Sequence, residues 1–308
     1  MESKKTQKTT QEKKEIINHS VNTKIMSRYL DPKNDLIFKL IFGEHKHLCM
    51  SLLNSLLPLE KPIVSIEYQT GELLPEIELM RNSIVDVRCV DADGRQFIVE
   101  MQMCWTEGFK SRVLFNASRA YIKQLDTSQP FKLLQPVYAL NLVNEIFEKS
   151  PEMANEYYHH YKIVNINDTE KQIEGLELIF IELPKFKPQN RAEKKLFELW
   201  MRFLTEIDGR TEEIPQELMD NDLLREAVGY TKTAAYTRRQ LDAYDKVIDA
   251  IMVELSRHYD ALEKGDQQRL EKVTVNSHKA GLPMETIMAI TDLSSKQITE
   301  ILKQHGLG

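Results

Sequence analysis

The chain has 308 residues, a formal net charge of −6 and 42% hydrophobic residues, which is enough for one substantial core and an accessory part. No apolar run approaches the roughly 20 residues that span a bilayer, and the N-terminus carries no apolar signal core, so a cytoplasmic protein without membrane attachment is expected. The three cysteines, Cys49, Cys89 and Cys104, are too few and too unevenly spaced for a disulfide framework or a structural zinc site. The hairpin would allow Cys89 and Cys104 to approach each other, but buried free thiols are expected.

Residues 1–28 are rich in Lys, Gln, Thr and Glu without periodicity and read as a flexible lysine-rich arm. Asp31-Pro32 has the form of a helix N-cap followed by a first-turn proline, leading into Asp35-Leu36-Ile37-Phe38-Lys39-Leu40-Ile41-Phe42-Gly43. His45 and His47 lie two apart on a helical stretch, and His159-His160 falls in a loop-like segment. Neither pair has metal-ligand spacing.

Two strands follow, Ser83 to Val90 and Phe97 to Gln102, joined through Ala92-Asp93-Gly94. A three-residue loop with Gly94 in the left-handed conformation pairs Asp91 with Arg95, Val90 with Gln96 and Asp86 with Glu100. Side chains two apart on a strand share a face, so Asp86, Arg88, Ile98, Glu100 and Gln102 line one side and Val85, Val87, Cys89, Val99 and Met101 the other. A two-residue Asp93-Gly94 loop turns Asp86 away from Glu100. Two facing carboxylates repel unless a shared proton or a hard divalent cation neutralises them, and Mg2+, with Mn2+ or Ca2+ as substitutes, suits oxygen ligands. A solvated strand face with Arg88 as ion-pair partner accounts for the same residues.

The acidic balance disfavours phosphate binding, so a nucleic-acid surface has to be local. The helix from about Gly108 to Leu125 offers one: Arg112, Asn116, Arg119 and Lys123 share a face, while Leu114, Ala117, Tyr121 and Leu125 form an apolar stripe. Strands are expected near Gln135 to Asn144, Tyr161 to Asn167 and Glu177 to Leu183, giving an α/β arrangement around a mixed sheet over 29–190. Beyond Pro188 the chain reads as helical. In 191–272, Leu241, Tyr244, Ile248, Ile251, Leu255, His258 and Leu262 follow heptad-like spacing, suited to a homodimer seam or to packing on the same chain. In 273–308, Ser294 as N-cap between two short helices outlines a helix-turn-helix-like hairpin whose Ser295, Lys296, Gln297 and Thr299 are types that reach bases or phosphates.

The Asp-x-x-Phe-Lys-x-x-Phe-Gly helix, the Asp86 strand, the Glu100-Met101-Gln102 strand, the helix with Arg112 and Tyr121, and the run Leu176 to Phe186 together resemble the PD-(D/E)XK nuclease family transposases, also described as recombination-promoting nucleases. The resemblance covers about 29–187. It implies a restriction-endonuclease-like core with a mixed sheet flanked by helices. It also implies a metal site of Asp86 and Glu100, with the Met101 carbonyl as a further ligand and Asp35 as an acidic contributor. Many members of the wider superfamily carry lysine where this chain has Gln102, which cannot exchange a proton near neutrality and so orients water or phosphate without acting as base. The function implied is Mg-dependent, low-specificity cleavage of DNA linked to recombination or mobile elements. The alternatives are a DNA-binding remnant that no longer cuts and a helical self-association protein.

Overall fold

A computed structural model describes residues 28–73, 83–125, 128–188 and 195–307. The arm expected over 1–28 falls, but for Arg28, outside them. The described residues divide into two compact units, one ending at Val247 and the next beginning at Ile248.

The first unit begins with helices α1 (Asp35–Glu44) and α2 (Lys46–Leu56). The N-cap of α1 is Asn34, whose side chain accepts from the Leu36 N–H, and not Asp31. Asp31 instead closes a turn, its Oδ1 accepting from Lys33 N at 2.8 Å. An aspartate can cap either motif, and here the residue three further on has the extended backbone that an N-cap needs. Strands β1 (Ile66–Tyr68), β2 (Glu72–Leu73), β3 (Ser83–Ile84), β4 (Val87–Asp91) and β5 (Gln96–Gln102) come next, followed by helix α3 (Phe109–Ile122). Strands β6 (Val137–Val143), β7 (Tyr158–Asn165) and β8 (Asp168–Glu182) complete the α/β part. His159 and His160 thus lie on a strand, their imidazoles 2.8 Å from Glu182 and 2.6 Å from Glu177.

The main sheet has six strands in the order β1-β4-β5-β6-β8-β7, while β2 and β3 pair separately. Strands β5, β6 and β8 run parallel and the remaining pairs antiparallel. A parallel centre must be covered on both faces, and it is. On one face Val87, Cys89, Phe97, Val99, Leu140, Leu142, Ile179 and Ile181 meet α1, α2 and two helices further on, α4 (Lys195–Glu206) and α6 (Asp222–Thr231), which precede and follow the short α5 (Gln216–Met219). Trp200 and Phe42 stack edge to face in this layer at 5.5 Å, each fully buried aromatic contributing roughly 2–3 kcal/mol through lost water contact. On the other face α3 packs Phe109, Val113, Ala117 and Ala120 onto Ile98, Val137, Ala139 and Phe180. The stripe expected on α3 holds at Ala117 and is otherwise rotated: Leu114 is exposed while Val113 and Ala120 are buried, the small alanines letting the helix approach the sheet closely. All three cysteines are buried and free. Cys89 lies against Cys49, whose thiol is pushed up by the hydrogen bond between them and by burial.

Helix α7 (Arg238–Lys279) passes from the first unit into the second. Its first turns belong to the α/β core: Leu241 and Tyr244 pack there, and the Tyr244 hydroxyl accepts from Asp31 N at 3.0 Å. In the second unit α8 (Met284–Thr291) and α9 (Ser295–Gln304) gather Ile287, Ile298 and Leu302 with Val275 into a small core. Ser294 caps α9 in a reciprocal capping box with Gln297, so the Gln297 side chain is occupied by the backbone. No helix among the described residues is long and apolar enough to cross a membrane.

Candidate active site

The β4–β5 hairpin has the register of the three-residue loop. Gly94 adopts φ 85°, Gly94 N donates to Asp91 O at 3.1 Å, and Asp91 N to Arg95 O at 3.1 Å. Val90 pairs with Gln96 and Val87 with Val99. Continued by one residue, this places Asp86 opposite Glu100.

The side chains do not share one face in the simple way that alternation predicts. The Val85 N–H is taken by the carbonyl of Gly71 at 3.0 Å, before β4 begins. The alternation resets there: Val85 packs under α3 with Ile98, and the Asp86 carboxylate reaches the Met101 N–H and, on the α1 side, Lys39, so Asp86 and Glu100 do not share the face expected of them. Its Oδ2 accepts from Met101 N at 2.8 Å. Its Oδ1 lies 3.4 Å from Lys39 Nζ, which in turn is 2.7 Å from Asp35 Oδ1. Asp35 thus joins the site both through Lys39 and by its own carboxyl, which lies within hydrogen-bonding reach of Asp86.

Glu100 turns toward α3 and is 5% exposed. Asn116 Nδ2 donates to its Oε1 at 3.0 Å, and Arg112 Nη2 stands 3.4 Å from its Oε2. Gln102 shares this face, and Arg112 donates to its Oε1 at 2.6 Å. The two carboxylates therefore meet across the Glu100–Met101 peptide. Burial pushes the carboxyl of each above its ordinary range; Met101 N–H and Lys39 oppose this at Asp86, and Asn116 and Arg112 at Glu100, while Asp35 adds to the rise at Asp86 and the charge of Asp86 to that at Glu100. Carboxyls raised by desolvation and by a neighbouring carboxylate, Asp35 beside Asp86 and Asp86 beside Glu100, call for a cation.

The residues of the expected phosphate-binding face part company. Arg112 is half-exposed at the rim of the site and Lys123 is exposed. Asn116 and Arg119 are buried, so Asn116 is a support for Glu100 and Arg119 lies over the Phe115 ring at 5.3 Å. Buried to this degree, these two offer a phosphate far less surface than Arg112 and Lys123 do.

Two residues that the sequence reading passed over belong to the site. Lys39 follows Asp35 by one helical turn and shares its face, a spacing that could have flagged it. Asn141 pairs in register with Glu100 on β6 and is fully buried. Its Nδ2 donates to the carbonyls of Ala139 and Ile179, and its Oδ1 is buried without a hydrogen-bond partner. A lone amide inside the apolar run Val137 to Val143 was its signal.

Among the described residues no three Asp, Glu, His or Cys side chains converge as a closed metal cage. Mg2+ needs less, since it is commonly held by one or two carboxylates and keeps several waters. The residues present fit that demand. Asp86 and Glu100 supply carboxylates, and Met101, whose N–H faces Asp86, directs its carbonyl to the same edge, as each residue of an antiparallel ladder does. The orphaned acceptor of Asn141 lies on the strand position paired with Glu100.

The family model of the PD-(D/E)XK nuclease family transposases matches residues 32–252, from the turn before α1 into α7. The match takes in more than half of the sequence, and the chain belongs to this family. No curated protein and no solved structure matches it.

Proposed function

We propose that the protein is a divalent-metal-dependent DNA endonuclease of low sequence specificity, acting in DNA recombination or in the movement of mobile elements. The observation that carries this reading is the meeting of Asp86 and Glu100 across the Met101 peptide, both carboxyls raised by burial. Asp86, Glu100 and the Met101 carbonyl would hold Mg2+. Bound there, the ion supplies a Lewis acid for the phosphate and a water of lowered pKa as nucleophile. Asn116 fixes the orientation of Glu100. Arg112, braced by Gln102, presents its guanidinium at the rim, where a phosphate oxygen can be received by a charge-assisted hydrogen bond. Gln102 neither accepts nor releases a proton, and its part is to hold Arg112.

Supercoiled plasmid incubated with the protein and Mg2+ should be nicked, and chelator should stop the reaction. Asp86→Ala should lower the rate by about 10³-fold or more while DNA binding is kept or strengthened, since a negative group has been removed. One observation favours a second reading, a DNA-binding protein that does not cut: Lys39 and Arg112 already neutralise the two carboxylates. Retarded migration of DNA in chelator together with an intact plasmid in Mg2+ and Mn2+ would select it.

A further inference from the structure

Gln102 leaves β5 without the cation that a lysine would bring, yet a lysine reaches the site from α1. Lys39 lies over Asp86, and Arg112 over Glu100, each at 3.4 Å. In both cases the tight contact is with a different partner: Lys39 is 2.7 Å from Asp35, and Arg112 is 2.6 Å from Gln102. Direct charge-assisted bonds run at about 2.7–2.9 Å, so each cation is moored beside its carboxylate and only leans on it. The Asp35–Lys39 pair, one turn apart on an exposed stretch of helix, has little worth as a surface ion pair. Its geometry serves something else, because it holds an ammonium at 39% side-chain exposure above an Asp86 side chain at 20%.

We propose that Lys39 is the exchangeable cation of this site. Moored on Asp35, it neutralises Asp86 while no metal is bound, yields Asp86 to the divalent cation, and then contacts a non-bridging oxygen of the scissile phosphate. Lys39 makes and breaks no covalent bond, and its proton stays on Nζ throughout. Asp35 becomes the positioning residue for Lys39. This inference rests on the endonuclease reading.

The test pairs calorimetric titration of Mn2+ with plasmid nicking at saturating Mn2+, for the full chain and for Lys39→Ala and Lys39→Arg, with thermal unfolding in chelator to confirm that each variant is folded. Removing a competing unit charge should tighten Mn2+ binding by Lys39→Ala about tenfold. Loss of a charged contact made to the phosphate in the transition state should slow its cleavage by about 10²-fold. Lys39→Arg, which keeps the charge, should restore cleavage to within about tenfold of the unsubstituted protein and keep the weaker Mn2+ affinity. Unchanged or weaker Mn2+ binding by Lys39→Ala overturns the inference, and so does cleavage at the unsubstituted rate. If the unsubstituted protein binds and cuts while Lys39→Ala behaves identically, the inference alone falls. If the unsubstituted protein does neither, the endonuclease reading falls with it.

Discussion

Glu100 is a carboxylate with almost no access to water, and burial raises its pKa despite the bonds from Asn116 and Arg112. A group whose folded pKa lies above its unfolded value stabilises the protein most below the unfolded pKa, and that contribution disappears as pH rises through the folded pKa. Without metal, Glu100 and Asp86 therefore oppose folding near neutrality and favour it on acidification toward about pH 4, where an unfolded carboxylate titrates. Glu177 and Asp208 act in the opposite sense: burial is outweighed at Glu177 by His160 and Lys162 and at Asp208 by Arg210, so both carboxyls are lowered. Comparing a variant with the parent at each pH cancels those terms. In chelator, Glu100→Gln should melt roughly 2–4 °C above the parent at neutral pH, with the gain shrinking toward pH 4. A lower melting temperature at neutral pH would mean that Glu100 is held ionised by its partners. Gln102 bears on cleavage through Arg112, and Gln102→Ala should slow nicking by about 10²-fold or less, as for loss of one positioned donor. Cleavage at the full rate would remove Gln102 from the account.

Two glycines set the elements that carry the carboxylates. Gly94 sits at φ 85°, and a Cβ there would also stand 3.2 Å from Gln135 Cγ. Gly94→Ala should cost about 1–2 kcal/mol in chemical denaturation, and Gly94→Asn less, because asparagine tolerates the left-handed region. Cleavage should fall with the loosened register, and unchanged stability in Gly94→Ala would contradict the loop described. At Gly71 a Cβ would come within 2.6 Å of the Val85 carbonyl, and this close approach fixes the kink that frees Asp86 from the ladder. The contrast marks what was legible beforehand. The β4–β5 register could be read because Ala92-Asp93-Gly94 is a local signal. The reset at Val85 could not, since it depends on Gly71, fourteen positions away by number. The start of α1 was misplaced because Asp31 and Asn34 are both capping residues and only backbone geometry separates them. On α3 the expected stripe holds at Ala117 but not at Leu114, because closeness to the sheet selects Val113 and Ala120 beside it. Lys39 and Asn141 were missed because one looked like a helix surface residue and the other like an interruption in a core strand.

At the scale of the molecule, the site and its supports lie within the unit that ends at Val247. Leu241 and Tyr244, the first two positions of the heptad-like seam, are used by this unit's own core. A dimer seam on α7 would have to begin beyond them; the His258 side chain lies outside the described residues. A chain ending after Met252 should keep metal-dependent nicking within about tenfold of the full chain. One ending after Tyr236, which loses Leu241 and the Tyr244–Asp31 bond, should unfold at markedly lower denaturant.

The central claim is that Asp86 and Glu100 act as one unit in cutting DNA. Residues that share one function are strongly non-additive, so the direct measurement is plasmid nicking in Mg2+ by Asp86→Ala, Glu100→Ala and the double variant. The account predicts that each single substitution lowers the rate by about 10³-fold or more and that the double variant is no slower than either. Cleavage that survives in Asp86→Ala, or losses that multiply in the double variant, would contradict it.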